Sequence, residues 1–313
     1  MPHNTPYVSV VVFSYNQKSS LKRALESVFA QSYRNIQIVI SDDFSTDGSR
    51  EYLKSLEGKF GKIIKLVFQE RNVGIASNKT SGLKAADGDL ITYLDGDDFY
   101  FPDKIKLEVQ QFLKDESLDV VYSNFAYTEK EGDINQVWAK DDWNPIVGYI
   151  FPEVFLRKFP KKSLYRCELI RKEVLERINF YDLNLKTFED WDSRIRMTSF
   201  ANVGYSNYIG SAYVNDINGI SKTSSKQSLL LDMIYVVQKN RGIILFNSSI
   251  TKEVKKFEAS LFYDLATLST GFNRYIYFTK SILKNPLNLI KIIVKLIIVP
   301  TEYIKNKIQF YTS

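Results

Sequence analysis

Three carboxylates fall within four residues where an apolar run breaks off, at Ile91-Thr92-Tyr93-Leu94-Asp95-Gly96-Asp97-Asp98. Asp95 and Asp97 are two apart, so on an extended chain both point to one side. Close carboxylates repel unless a proton or cation lies between them. Hard oxygen ligands suit Mg²⁺ or Mn²⁺, usually together with substrate phosphates. Gly96 keeps bulk away from whatever the pair holds. A plain turn would use the same residues differently, with Asp98 capping a helix that starts near Pro102. Two more acidic clusters stand out, Ser41-Asp42-Asp43-Phe44-Ser45-Thr46-Asp47 and Phe188-Glu189-Asp190-Trp191-Asp192. Both offer helix caps or first-turn acids as well as chemistry.

The elements that must position these residues alternate. Val8–Phe13 and Ile36–Ile40 are solid apolar runs, and Leu90–Leu94 is a third, each suited to a strand covered on both faces. Between them Leu21, Ala24, Leu25, Val28 and Phe29 keep helical spacing. Lys65–Phe68 reads as another strand, and a helix covers roughly 77–86. Strand, helix, strand, helix with polar turns predicts an α/β, doubly wound and mostly parallel sheet. Ligands of such sheets lie at the strands' C-terminal ends, where the carboxylates are.

After Val120-Val121-Tyr122-Ser123 the pattern loosens. Residues 126–165 hold Trp138, Trp143 and three prolines and read as irregular loop, a possible lid. A helix is expected over 171–177 and another through 194–197. One or two strands follow over 205–214, then helices near 226–240, 251–269 (stopped by Gly271) and 274–284. Three regions result: a half over 1–125, a second half over 126–225, and a helical extension over 226–313.

Composition excludes several classes. The only histidine is His3, so a Ser-His-Asp triad in the body and a His-rich zinc site are ruled out. Acid–base work must fall to carboxylates, Lys or Tyr. Cys167 is alone, which rules out an intrachain disulfide and favours a reducing compartment. Net charge is +6, and six lysines beyond residue 279 face only Glu302, so the rest is nearly neutral. No broad nucleic-acid surface is expected. The first residues lack a signal peptide's pattern, and no apolar run is long enough to span a membrane.

The order of motifs resembles family 2 inverting glycosyltransferases of the GT-A fold. Four segments carry it: Val8–Asn16, Ser41–Asp47, Asn72-Val73-Gly74 through Gly82, and Leu94-Asp95-Gly96-Asp97-Asp98 with Pro102. Glu189-Asp190 follows at a fitting distance, and the resemblance fades after Ser221. It implies a nucleotide-sugar donor, a UDP-hexose or UDP-N-acetylhexosamine, with Ser14 and Tyr15 beside the nucleotide. Asp43, or its neighbour Asp42, would accept from the uracil edge. Asp95 would reach the ribose and the metal's water shell, and Asp97 would ligate Mn²⁺ or Mg²⁺. Lys79 stands where relatives often carry an Arg; it keeps the charge without the bidentate fork, or lies on a solvated helix face. Asp190 would take the proton of the acceptor hydroxyl, with Glu189 beside it. An aromatic wall of Phe188 and Trp191 would dry Asp190 and raise its pKa, against the pull of a metal-bound diphosphate. Many relatives have Tyr-Arg-x-His in the closing segment; here it is Tyr213-Val214-Asn215-Asp216, so Asp216 replaces the His as a metal contact or the contact is lost.

Readings from other classes use the same residues. A haloacid-dehalogenase-type phosphatase would carry Asp-x-Asp on its first strand, and a nucleotidyltransferase would have a Gly-rich phosphate loop near the N-terminus. A non-catalytic, membrane-associated subunit needs none of the carboxylates. Lys284, Asn288, Lys291 and Lys295 recur at helical spacing among apolar residues, which predicts an amphipathic basic helix at a membrane interface. A cytoplasmic enzyme, peripheral at the inner face of the cell membrane and acting on a lipid-linked glycan acceptor, would account for that helix.

Overall fold

The computed structural model describes residues 5–129, 133–215, 223–244 and 248–292. They form two compact units, Met1–Thr223 and Ser224–Ser313. A nine-stranded sheet runs through the first. Its parallel core is β1 (Val8–Ser14), β2 (Ile36–Asp42), β3 (Ile64–Phe68) and β4 (Leu90–Asp95), in the order β3-β2-β1-β4. β1 is buried at every position, as its nearly continuous apolar run requires. Val10, Val12, Ile38, Ile40 and Leu94 are fully buried, and each such side chain contributes about 1.5–3 kcal/mol. The crossovers are α1 (Lys18–Phe29), α2 (Ser49–Phe60) and α3 (Ile75–Lys84). α1 buries Leu21, Ala24, Leu25 and Val28, the stripe its spacing predicts.

The chain runs from β1 to β2 and β3 on one side, then returns to β4 on the other. A crevice opens at such a reversal of strand order. Register brings the expected residues to it: Ser14 pairs with Asp42, and Phe13 with Asp95.

Beyond β4 come β5 (Phe99–Tyr100), α4 (Lys104–Lys114), β6 (Val120–Thr128), β7 (Ile134–Val137), α5 (Phe151–Phe155), β8 (Leu169–Arg171), α6 (Lys172–Arg177), α7 (Glu189–Thr198) and β9 (Val203–Val214). β8 lies antiparallel between β4 and β6, and β9 runs parallel to β6. Under β4 a buried ion pair joins Lys104 Nζ to Glu108 at 2.6 Å, and Lys104 also donates to Thr92 Oγ1.

Several expectations need correction. Residues 126–165 are not simply loop: β6 continues to Thr128, β7 pairs with it, and Trp138 is buried between Phe125 and Phe159. The Trp138 indole N–H donates to the carbonyls of Pro160 and Ser163, which fixes this segment as packed structure. The helix expected from 171 starts at Lys172, because 169–171 form β8. α4 starts at Lys104, with Asp103 at its N-cap, so Asp98 does not cap it.

The second unit contains α8 (Lys226–Lys239), α9 (Arg241–Ile244), α10 (Ser248–Leu268) and α11 (Gly271–Lys284). Gly271 opens α11 instead of merely stopping α10. No described helix is long and apolar enough to cross a membrane. Among its described residues, the polar stripe of the expected basic helix is exposed only at Lys291. Lys284 pairs with Glu258 at 2.9 Å, and Asn288 is buried, donating to Ser281 Oγ. Asn285 is extended and Pro286 follows, so Lys284 and Asn288 do not share one helix. Lys295 lies outside the described residues, as do Asp216 and Ser221.

Candidate active site

The crevice is built from turns that leave four strand or helix ends. Three of them use a non-glycine residue in the left-handed region: Asn16 after β1, Phe44 after β2, and Phe188 before α7. Such conformations cost on the order of 1–3 kcal/mol and persist where the surroundings enforce them. Here they follow Tyr15 and Asp43 and precede Glu189, three of the expected site residues.

Ser14 is buried, and its hydroxyl has no hydrogen-bond partner among the described residues. Tyr15 beside it is about half exposed. Asp42 and Asp43 separate into two jobs. Asp42 is fully buried, and its carboxylate accepts from Ser45 N–H, the Ser45 hydroxyl and Arg50 Nε. Of the two carboxylates offered to a base, Asp42 is therefore taken up by its own turn. Asp43 accepts from the amides of Val73 and Gly74, at 2.7 and 3.0 Å, which ties β2 to the Asn-x-Gly turn. Each oxygen still has a lone pair for a second donor.

α3 lies unusually close to the sheet. A Cβ on Gly82 would stand 2.8 Å from Ser41 Cβ and Val11 Cγ1. That approach carries Lys79 into the crevice, where Nζ lies 3.0 Å from Asp95 Oδ1 and 3.3 Å from Glu189 Oε1. Its side chain is only 12% exposed, so the solvated-face reading of Lys79 is wrong. Burial pushes its pKa down, but Asp95 and Glu189 outweigh burial and hold it well above the usual lysine value.

Asp97 is pushed above the ordinary carboxylate range, first by burial and then by Asp95. A cation between the two would relieve that repulsion. A Cβ at Gly96 would fall 2.6 Å from the Phe13 carbonyl, so the turn between them has no room for a side chain. Among the described residues, no three His, Cys, Asp or Glu side chains converge as a self-sufficient cage. Two carboxylates completed by phosphate oxygens and water are a usual Mg²⁺ arrangement, and these residues fit it. Asp98 is diverted elsewhere: it accepts from the Val214 amide and faces Arg166 at 3.7 Å.

On the opposite wall, α7 presents Glu189 and Asp190 in its first turn. Glu189 is buried, and burial raises its pKa despite Lys79. Asp190 has 43% of its side chain exposed and accepts from Arg194 Nη1 at 2.6 Å. The expected upward push of burial on the Asp190 pKa is present but is overruled within the protein itself. Burial does push it up, but Arg194 above all, with Lys79 and Arg166, pulls it down to about 2. The aromatic wall exists, with Phe188 edge-on to Trp191, but the Trp191 indole N–H points to the Val154 carbonyl.

Three charged residues not singled out from sequence complete the site. Arg194 is almost wholly buried and forks onto Glu168, at 2.8 and 2.9 Å, and also donates to the Tyr93 hydroxyl. The Tyr93 hydroxyl in turn donates to Glu168. This links β4, two residues before Asp95, to Asp190. Arg166 stacks 4.0 Å above the Tyr213 ring, next to the place where relatives carry an additional Arg. An isolated Arg or Glu has no spacing that marks it in a sequence; the Tyr213-Val214 departure was the one available hint that a cation must come from elsewhere.

With this geometry in hand, comparison with known proteins gives a family. Residues 9–178, just over half of the chain, match the model for glycosyl transferase family 2. The chain belongs to that family. It is 27% identical over 256 residues to the Escherichia coli UDP-Glc:alpha-D-GlcNAc-diphosphoundecaprenol beta-1,3-glucosyltransferase WfaP, covering 79% of this chain and 94% of WfaP. An uncharacterized glycosyltransferase of Haemophilus influenzae is 37% identical over 134 residues, 43% of this chain and 52% of the relative. The chain thus aligns with about half the length of that relative. Among solved structures, Staphylococcus aureus TarS 1-349 in complex with UDP-GlcNAc superposes with a TM-score of 0.67 at 15% identity, over 88% of this chain and 79% of TarS. A Pyrobaculum calidifontis mannosyltransferase with GDP-Man and Mn²⁺ superposes at 0.55 and 14% identity, over 90% and 81%. The fold is GT-A, and family membership displaces the phosphatase and nucleotidyltransferase readings.

Proposed function

We propose that the chain is an inverting hexosyltransferase. It moves a sugar from a UDP-linked donor to a hydroxyl of a lipid-linked glycan acceptor in bacterial surface polysaccharide synthesis. The observation that carries this is the bridge from Asp95 through Lys79 to Glu189. It joins the Asp-x-Asp turn and the Glu-Asp helix in one crevice at the sheet's switch point.

Ser14, with its unsatisfied buried hydroxyl, and Asp43 line the nucleotide side. Asp97, with Asp95, would hold Mn²⁺ or Mg²⁺ against the diphosphate. The bound ion supplies Lewis acidity for the departing diphosphate. Lys79 and Arg166 add protein cations on that side, Arg166 with the planar fork that Lys79 lacks. The acceptor oxygen forms its bond to the anomeric carbon as the carbon–oxygen bond to the diphosphate breaks, its electron pair leaving with the diphosphate. The hydroxyl proton passes to Asp190. A carboxylate of such low proton affinity is a weak base for a neutral hydroxyl. It suffices once the attacking oxygen has gained positive charge, so proton transfer lags bond formation. Arg194 holds that carboxylate in place, and a single base is enough for inversion.

The relation to WfaP supports a lipid-linked acceptor, and a lipid-linked acceptor favours a position at the inner face of the membrane, held by the C-terminal helical unit. The test is a panel of nucleotide sugars assayed for Mn²⁺-dependent turnover. Turnover of at least one UDP-sugar is expected. Failure to bind any UDP-sugar in Mn²⁺ would favour the non-catalytic subunit instead.

A further inference from the structure

The transfer chemistry leaves the C-terminal unit unused, yet that unit holds a cavity of ≈ 550 Å³. Four cations from three helices line it: Arg241, Lys255, Lys280 and Lys284. The one carboxylate among them is Glu258, which is 1% exposed. Glu258 accepts from Gln238, Arg241 and Lys284, so it is already committed. Lys280 and Lys284 both lie over the Phe262 ring, at 5.5 and 5.8 Å. The Phe262 ring thus anchors both ammonium groups at the cavity wall. Four cations against one carboxylate leave the lining net positive, which favours a bound anion.

Beyond Gln238 and Thr251 the rest of the lining is apolar, with Val254, Phe262 and Leu283 among it. Leu283 also belongs to an outward apolar face. Phe272, Tyr275 and Leu283 are 79%, 65% and 79% exposed. At 100° per residue, these three lie along one side of α11. Lys280 and Lys284 follow on the adjoining side, toward the cavity. After Pro286 the apolar surface continues in Leu287 and Ile290, which are 65% and 63% exposed. An apolar face edged by basic residues is the pattern of a helix lying in a membrane interface.

We propose that this cavity binds the phosphate headgroup of an anionic membrane lipid, with Phe272, Tyr275 and Leu283 entering the acyl boundary. The assignment rests on the reading that the acceptor is lipid-linked. It moves the docking surface from the predicted lysine stripe to the cavity and the outward side of α11.

Flotation of the full chain with vesicles tests it. Phosphatidylcholine vesicles containing phosphatidic acid should bind the protein, and phosphatidylcholine alone should bind it far less. Lys255→Gln with Lys280→Gln should weaken binding to the phosphatidic acid vesicles roughly thirty-fold, at about one factor of five per cation near the surface. Lys255→Arg with Lys280→Arg should retain it, and thermal melts should show that both variants fold. Phe272→Asp with Leu283→Asp should also abolish flotation. Wild-type binding to the acidic vesicles no better than to neutral ones, or unchanged binding by the Gln pair, overturns the proposal. So does displacement from vesicles by glycerol phosphate at matched phosphate concentration, which would mark a soluble-anion site. UDP binding is titrated on the same samples. Lipid binding without UDP binding would sink the transferase reading and leave the lipid site standing; UDP binding without lipid binding would do the reverse.

Discussion

Arg194 Nη1 stands 2.6 Å from Asp190 Oδ2, one helical turn further along α7, and its other nitrogens are clamped by Glu168 and Tyr93. The more exposed acid of the Glu-Asp pair is therefore held by a guanidinium that Glu168 and Tyr93 clamp. Its carboxyl is drawn down to about 2, chiefly by that guanidinium working against burial.

A pH consequence follows. As the proposed base, Asp190 works deprotonated, so activity falls as pH drops through its pKa. With Asp190 near 2, the acid limb of kcat/KM in the ordinary carboxylate range must belong to another group. Replacing Arg194 with Met should raise the Asp190 pKa and bring its own protonation into that limb, moving it to higher pH. Glu168→Gln should accompany the change, so that no unpaired carboxylate stays buried. Initial rates from pH 4 upward in both proteins check this. The fold should show the same sign: stability from the Asp190–Arg194 pair is present above the unfolded aspartate value of about 4 and lost as pH falls toward 2.

Asp190→Asn is close in size and cannot take a proton. It should keep UDP binding and lose transfer by about 10²–10⁴-fold. Glu189→Gln should cost less, because Glu189 is buried against Lys79. Rate and binding measurements on both variants decide the roles; a dead Glu189→Gln beside an active Asp190→Asn would make Glu189 the base.

Lys79→Met removes the cation shared by Asp95 and Glu189. Charged hydrogen bonds of this kind contribute about 1.5–3 kcal/mol, so kcat/KM should fall by roughly 10- to 100-fold, and Lys79→Arg should recover part of it. Steady-state rates in saturating Mn²⁺ are the measurement. A Lys79→Met enzyme as fast as wild type would mean the bridge has no part in turnover.

Asp42→Ala should act on stability, because the turn loses an acceptor for Ser45 and Arg50. A loss of about 1–3 kcal/mol is expected, read by denaturant unfolding, with UDP affinity in the folded protein little changed. Gly82→Val should also destabilise, by about 1–3 kcal/mol or more, since its side chain would push α3 off Ser41 and Val11.

The parallel half of the fold was legible because β1, β2 and β4 are buried on both faces and so read as nearly continuous apolar runs ending in polar turns. Their ends carry Ser14, Asp42 and Asp95, so one wall of the candidate site came with them. β8 was missed because three residues have no period to read. The packed segment around Trp138 was read as loop, since its order comes from ring contacts and indole hydrogen bonds between residues far apart in sequence. Arg166, Glu168 and Arg194 matter only through the neighbours that folding gives them. The Lys284–Asn288 stripe misled because spacing alone cannot tell a buried polar face from a solvated one. Pro286 was the signal that the helix stops there.

Turnover of a UDP-sugar by wild type and Asp97→Ala, each with Mn²⁺ and with EDTA, tests the central claim most directly. The account predicts release of UDP from wild type only with the metal, and neither release nor metal-dependent UDP binding in a folded Asp97→Ala protein. Equal UDP release from wild type in EDTA, or from Asp97→Ala in either buffer, would contradict it.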